Sequence, residues 1–360
     1  SGGWCAEGEG PVLSTAGGAG GHSFPGVAVA EQLRARGVEG VWLGAAGGME
    51  TRVVPEHGIT LHEIPLGGLR GKGWATRLRA PWMLLRAGLA SFALIRRLKP
   101  AAVLSMGGYV AGPGGVAAWL LRRPLLIHEQ NGIAGVTNRL LAKLARRVLT
   151  GFPQVLKGAE WVGNPVRAAI AALPEPAERM AAQPLPARLL VLGGSLGARA
   201  LNSLLPQALA LLPAAQRPQV LHQAGRNGFD AAVHAYAEAG VRAEVRPFLD
   251  DMAASYGWAD LAVCRAGALT IAELTAAGLG SMLVPFPYAV DDHQTRNGST
   301  LVEAGAAELV QERDLTPEWL AARLGELLAD PSRLRAMAVS ALSLAKPAAA
   351  KRTADVLMEV

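Results

Sequence analysis

Apolar residues in this chain gather into short runs that stop at glycine and lead into longer stretches rich in alanine and leucine. Short apolar runs bounded by turn residues read as buried parallel strands, and the Ala/Leu stretches between them read as helices. On this pattern residues 11–16, 41–44, 101–106 and 124–128 are strands of a first half. Residues 188–192, 220–223, 261–264 and 281–285 are strands of a second. Helices between successive strands of a parallel sheet form right-handed crossovers, so the fold class is α/β. The first run carries Ser14 and Thr15, unusually polar for a central strand.

The halves open alike. Gly17-Gly18 follows the first strand of one, and Gly193-Gly194 follows the first strand of the other, 176 residues later. Two doubly wound parallel-sheet domains facing a cleft are the simplest architecture for this, with ligands at the carboxyl ends of both sheets. The Pro-rich residues 173–186 belong near the boundary.

Composition narrows the class. A chain of 360 residues, 51% hydrophobic with 43 Gly and 23 Pro, suits two ordinary domains rather than a fibrous or disordered chain. Cys5 and Cys264 are far apart and show no metal-ligand spacing, so Cys264 reads as a small core residue in a reducing compartment. No apolar run reaches the ~18 residues of a membrane span. The longest, residues 110–121 and 82–95, fall short, and the first twelve residues lack the basic region of a signal peptide. A cytoplasmic protein is expected, one still able to touch a membrane surface.

The net charge of +6 is uneven: residues 1–150 carry 17 basic and 8 acidic side chains, residues 151–360 carry 18 and 21. Between Glu63 and Glu129 there are ten basic residues and no acid. A one-sided field of that kind attracts phosphate, although a solvated face is the plainer alternative. Within it, residues 69–99 mix Trp74, Leu78, Trp82, Met83, Leu84, Leu85 and Phe92 with eight cations. That composition suits a membrane interface, or an ordinary helix with one buried face.

The turn Gly17-Gly18-Ala19-Gly20-Gly21-His22 lets the backbone approach an anion at a helix start. It lacks the Lys-Ser/Thr of a Walker loop and the G-x-G-x-x-G spacing of a dinucleotide site. His22 at its mouth is either a general base or a structural histidine. Gly107-Gly108-Tyr109 with Gly112-Pro113-Gly114-Gly115 makes a second such turn, and His128-Glu129-Gln130-Asn131 ends the next strand with four polar residues that read as site-lining. In the second half Gly193-Gly194-Ser195-Leu196-Gly197 matches the nucleophile elbow, and Asp260 and His293 follow in hydrolase order. The same turn equally binds phosphate. Arg265-Ala266-Gly267-Ala268-Leu269-Thr270 opens a helix whose N–H groups suit a phosphate, while Glu273 one turn later can grip two ribose hydroxyls. Asp291-Asp292-His293-Gln294 with Asn297 offers hydrogen bonds to sugar hydroxyls, without completing a metal site.

These motifs, together with Gly68-Leu69-Arg70-Gly71-Lys72-Gly73 and Gly163-Asn164-Pro165-Val166-Arg167, resemble the MurG family over nearly the whole chain from Pro11 onward. Those peptidoglycan glycosyltransferases add N-acetylglucosamine from UDP-N-acetylglucosamine (UDP-GlcNAc) to lipid I, making lipid II. The resemblance implies a GT-B fold, with residues 1–166 as acceptor and membrane domain, residues 167–340 as donor domain, and a C-terminal helix, residues 341–360, packing back on the first. It implies a donor site of Arg167 and Leu249 at the uracil, Ser195 with Ala268, Leu269 and Thr270 at the diphosphate, Glu273 at the ribose, and His293 with Gln294 at the sugar. Ile271, Ala272, Ala19, Gly20, Gly21 and Asn131 complete that set. Gly17, Gly18, Gly107, Gly108 and Tyr109 would hold the acceptor diphosphate, with His22, Asn131 and Glu129 near the attacking hydroxyl. Trp74, Leu78, Trp82 and Leu85 would meet the membrane.

The resemblance further implies no cofactor, no essential metal and no nucleic acid. Its partners are UDP-GlcNAc, lipid I, anionic inner-membrane lipid and other cell-wall synthesis proteins, at the cytoplasmic face of the inner membrane. Ala19 stands where the family usually has Thr, Leu196 and Gly280 replace a frequent Gln and Pro, and His293 stands where some members have Gln, which puts substrate affinity rather than identity in question.

Overall fold

The computed structural model describes residues 10–17, 23–66, 73–181, 185–194 and 198–360. They fall into two compact units, one of residues 1–165 with 346–360, the other of residues 166–345.

In the first unit the order is β1 (Val12–Thr15), α1 (Ser23–Ala35), β2 (Gly40–Ala45), α2 (Glu50–Glu56), β3 (Thr60–Ile64) and α3 (Trp74–Leu98). There follow β4 (Ala102–Ser105), α4 (Ala111–Leu120), β5 (Leu125–Glu129), α5 (Val136–Leu141), β6 (Arg147–Thr150) and β7 (Glu160–Trp161). Every pairing is parallel, in the order β3-β2-β1-β4-β5-β6-β7, so the winding direction reverses between β1 and β4. The polar β1 is an interior strand after all, paired on both sides, with Ser14 and Thr15 both buried.

The second unit runs α6 (Ala168–Ala171), α7 (Pro176–Arg179), β8 (Arg188–Leu192), α8 (Arg199–Ala210), β9 (Gln219–Gln223), α9 (Phe229–Ala239), β10 (Glu244–Arg246) and α10 (Met252–Trp258). It continues through β11 (Leu261–Cys264), α11 (Ala268–Ala277), β12 (Ser281–Leu283), α12 (His293–Glu303), β13 (Ala307–Leu309), α13 (Pro317–Leu328) and α14 (Pro331–Ser343). Its parallel sheet has the order β10-β9-β8-β11-β12-β13, with the reversal between β8 and β11. The Pro-rich residues 173–186 lie inside this unit.

Helix α15 (Ala349–Glu359) belongs to the first unit and packs on α1. Thr353, Ala354, Val356 and Leu357 are its buried stripe. Arg352 pairs with Glu160 at 2.8 Å, and Asp355 with Arg36 at 2.7 Å. The Lys346 ammonium sits 4.2 Å from the Trp161 ring centre, a cation–π contact at the start of the segment.

Five strands escaped the sequence pattern: β3, β6, β7, β10 and β13. All are short, and β3 and β10 are sheet edges whose residues are mostly partly exposed or exposed. Strands of that kind carry little apolar signal. A second correction concerns α3. It is one helix of 25 residues, and an 18-residue window in it has a mean hydropathy of 1.3, so by length and composition it does reach membrane-spanning size. Basic residues interrupt the run in sequence, and Pro81 lies inside the helix, yet the helix continues through them. It buries only Ala87, Ser91, Leu94 and Ile95, spaced as one face.

Candidate functional site

In the first unit the winding reversal brings two glycine turns into contact. A Cβ on Gly108 would lie 1.8 Å from the Gly17 carbonyl oxygen, and Gly108 has φ +84°, so both space and conformation demand glycine there. Gly107 has φ +93°, and its N–H reaches the Ser105 hydroxyl at 3.4 Å. Residues 18–22, which include Gly18, Ala19, Gly20, Gly21 and His22, lie outside the described residues. Tyr109 also lines an apolar groove.

Beside Gly17 sits a residue the sequence reading passed over. Glu50, at the start of α2, is fully buried, and its Oε1 accepts the Ala45 N–H at 3.0 Å. A Cβ on Gly17, Gly44 or Gly48 would fall within 3.0 Å of this side chain. Three glycines therefore make room for one carboxylate under the first turn. A lone Glu two residues after Gly-Gly carries no motif, which is why it was missed.

The tetrad at the end of β5 divides differently from expectation. His128, Glu129 and Gln130 are buried, and each bonds to backbone of the surrounding loops. The Glu129 carboxylate accepts the Gly135 N–H at 2.7 Å and the Asn131 N–H at 3.2 Å, folding the loop around itself. Both bonds hold the turn that carries Asn131. His128 Nε2 donates to the Gly163 carbonyl at 2.9 Å, and its Nδ1 accepts from the Gln130 amide at 3.1 Å. Burial pushes the His128 pKa down to about 4, so the ring is neutral in that tautomer.

Around α3, the bulky residues point outward. Trp74, Leu78 and Trp82 are 77%, 70% and 65% exposed, and Leu85 is exposed as well. Leu84, Leu85, Leu89, Val116, Leu120 and Leu140 line a groove of about 620 Å³ shared by α3, α4 and α5. Large contiguous apolar surface of this kind marks an interaction site.

In the second unit, α11 begins after Gly267 with no side-chain cap, leaving its first N–H groups at Ala268, Leu269 and Thr270 for an anion. Ile271 and Ala272 lie in the same turn, and Glu273 follows, half-buried. The Tyr256 hydroxyl donates to Glu273 Oε2 at 2.7 Å. Burial raises the Glu273 pKa, while the Tyr256 hydrogen bond and the nearby Arg167 charge pull it back. Arg167, exposed at the N-cap of α6, is therefore brought close to Glu273. Leu249 is buried just ahead of α10. Ser195 lies outside the described residues.

Gln294 is a clamp: its Oε1 accepts the Phe286 N–H at 2.9 Å and the Ala266 N–H at 3.1 Å. Only its amide nitrogen is left for a ligand. Asn297 is fully buried and donates to the Ala266 carbonyl at 3.1 Å, so it braces the turn instead of meeting a sugar. His293 is partly exposed, its Nδ1 at 2.8 Å from the Val290 carbonyl. The preceding Asp291 and Asp292 both hold left-handed backbone, φ +54° and +51°, a strain characteristic of functional turns.

The hydrolase alternative fails on position. Asp260 accepts the Arg188 N–H at 2.8 Å, at the amino end of the strands, whereas Gly193-Gly194 follows the carboxyl end of β8. Four strand residues separate the two, about 13 Å. Cys264 is buried in β11, where burial pushes the thiol up to about 12. Among the described residues no cluster of metal-ligating side chains forms.

Residues 12–150 match the glycosyltransferase family 28 N-terminal domain, and residues 188–353 match the glycosyltransferase family 28 C-terminal domain. The chain is 56% identical over 351 residues to the UDP-N-acetylglucosamine–N-acetylmuramyl-(pentapeptide) pyrophosphoryl-undecaprenol N-acetylglucosamine transferase of Alkalilimnicola ehrlichii, covering 97% of this chain and 98% of that protein. It is 55% identical over 352 residues to the like-named Nitrosococcus oceani protein, with the same coverage. The crystal structure of Acinetobacter baumannii MurG superposes with a TM-score of 0.88 at 39% identity, over 98% of this chain and 100% of that one.

Proposed function

The chain belongs to glycosyltransferase family 28 and has the GT-B fold of two Rossmann-like domains, and from that premise we propose that it transfers N-acetylglucosamine from UDP-GlcNAc to the C4 hydroxyl of N-acetylmuramic acid in lipid I, giving lipid II. The observation that carries this reading is α11. An uncapped helix start and a half-buried carboxylate one turn later suit the diphosphate and ribose of a nucleotide.

On this reading the site residues divide as follows. Ala268, Leu269 and Thr270, with Ser195, take the donor diphosphate, and Ile271 and Ala272 shape the same turn. Glu273 takes the ribose hydroxyls, Arg167 and the Leu249 backbone the uracil end, and His293 with the Gln294 amide the sugar. Gly17, Gly18, Gly107 and Gly108 cradle the acceptor diphosphate, with Ala19, Gly20, Gly21 and Asn131 at the reacting end. Residues 1–166 thus act as the acceptor and membrane domain and residues 167–340 as the donor domain.

In the reaction, the C4 oxygen attacks the anomeric carbon as the bond to UDP breaks. One displacement inverts an α-linked donor to a β-1,4 product. Charge grows on the leaving diphosphate, where oriented N–H groups and Arg167 stabilise it without a metal or cofactor. The hydroxyl proton passes to His22, which has only to accept it late in the step.

Lipid I cannot leave its bilayer, so the protein must reach it as a peripheral protein of the cytoplasmic face of the inner membrane. The exposed aromatic and aliphatic face of α3, its basic residues and the adjoining groove support that reading. The test is UDP release from several nucleotide sugars with a water-soluble lipid I analogue. Release from UDP-GlcNAc that requires the acceptor supports the proposal; acceptor-independent release, or none, removes it.

A further inference from the structure

We propose that Tyr256 is a positioning residue for the donor site: its hydroxyl holds Glu273 Oε2 so that the carboxylate presents its other oxygen to the ribose. The inference rests on the reading of Glu273 as the ribose ligand.

Tyr256 is among the largest fully buried side chains, 1% exposed, on a short helix packed against α6 and α11. A phenol so deep in apolar surroundings costs stability unless its hydroxyl is bonded, and the bond it makes is the 2.7 Å one to Glu273. A phenylalanine would fill the same space without that cost. The hydroxyl therefore serves the carboxylate, not the packing. Glu273 itself is half-buried, so Tyr256 reaches it from the core side and leaves Oε1 with no hydrogen-bond partner among the described residues.

Three charged or titratable groups interact with Glu273, each from a different element. Tyr256 comes from α10, Arg167 from the start of α6, and Cys264 from β11. Burial raises the tyrosine pKa well above its ordinary value, so the phenol stays a donor, and the thiol stays neutral. Burial works against the ionised Glu273, and the Tyr256 hydrogen bond is the first of the two influences that restore it. Helix α10 also follows directly from Leu249, its start fixed by Asp251 accepting the Ala254 N–H at 2.9 Å. One rigid segment thus joins the uracil and ribose ends of the donor site.

Tyr256→Phe in the full-length enzyme should raise the donor KM about three- to tenfold and leave kcat within about twofold. The acid limb of kcat/KM for the donor should move to higher pH, because the carboxylate loses a hydrogen bond to its charged form. Both effects should vanish in a Glu273→Gln background and with a 2′,3′-dideoxy donor. An unchanged donor KM and acid limb in Tyr256→Phe would overturn the inference. So would a KM rise that persists in the Glu273→Gln background, which would mean packing alone. If Glu273→Gln itself leaves the donor KM unchanged, the ribose assignment falls first and takes this inference with it; if only Tyr256→Phe is silent, the inference fails alone.

Discussion

The roles proposed for Glu273 and His22 are separable by kinetics. Removing Glu273 deletes a charged hydrogen-bond partner worth ~1.5–3 kcal/mol, so Glu273→Ala should lower donor kcat/KM by roughly tenfold to a hundredfold. Unchanged donor kinetics would refute the ribose role. His22→Ala should lower kcat by about 10²–10⁴-fold and abolish the acid limb of kcat; a lowered melting temperature with normal turnover would make His22 structural. Residue types at strand ends foretold a site, but not which of them face a ligand. His128, Glu129 and Gln130 end a strand with polar groups and Asn297 follows a polar turn, and each is buried and bonded to nearby backbone. A linear sequence cannot distinguish a polar side chain that lines a cleft from one that folds the loop beneath it. Tyr256 and Glu50 were invisible for the converse reason, since each matters only through a neighbour distant in sequence or hidden under a turn.

Two buried histidines bear on stability rather than catalysis. His222, held between the Tyr236 hydroxyl at 2.6 Å and Asn202 Oδ1 at 2.8 Å, has its pKa lowered to about 4 by burial, as has His128. In the unfolded chain both would titrate near 6.5. The unfolded state therefore binds more protons between pH 6.5 and 4, and stability present above pH 6.5 is lost as pH falls through that window. The loss should approach about 3 kcal/mol per histidine near pH 4. Denaturant midpoints measured at pH 8, 6, 5 and 4 check this, and a midpoint flat across the range would contradict it.

At the scale of elements, helix α3 is the one whose outer face the core leaves unused. Its small residues, Ala87 and Ser91, turn inward with Leu94 and Ile95, while its tryptophans turn out. A helix stabilising only the core would do the reverse. Each cation near an anionic surface adds ~1 kcal/mol of attraction, screened by salt. Replacing Trp74, Trp82 and Leu85 with Ser should weaken sedimentation with anionic vesicles and activity on full-length lipid I. Activity on a short-chain soluble acceptor should survive. Equal loss on both acceptors would show that these side chains serve the fold. Legibility followed burial here too. The largely buried strands β8 and β11 ran over the residues the apolar pattern marked, whereas β7 and β10, two and three residues long, had nothing periodic to display.

The whole molecule is two versions of one idea, legible because the glycine turns repeat where the winding of each sheet reverses. Parallel sheets with that reversal place the ends of two strands side by side, and only glycine lets the turns approach as Gly17 and Gly108 do. The chain's last helix makes the first unit discontinuous in sequence, so its stability depends on residues far from its own sheet. Leu357 is fully buried in the same apolar cluster as Val12, Leu33 and Trp42. Leu357→Ala should cost ~2–5 kcal/mol of unfolding free energy through the lost methylenes and the cavity left behind. Because the residues assigned to UDP lie between Arg167 and Gln294, the affinity of the folded variant for UDP should stay at the wild-type value. Calorimetric titration with UDP beside a denaturant melt measures both on one preparation. A fall in UDP affinity alongside the stability loss would mean that α15 also shapes the proposed donor site, and that the second unit, with its own sheet and core, does not bind UDP by itself.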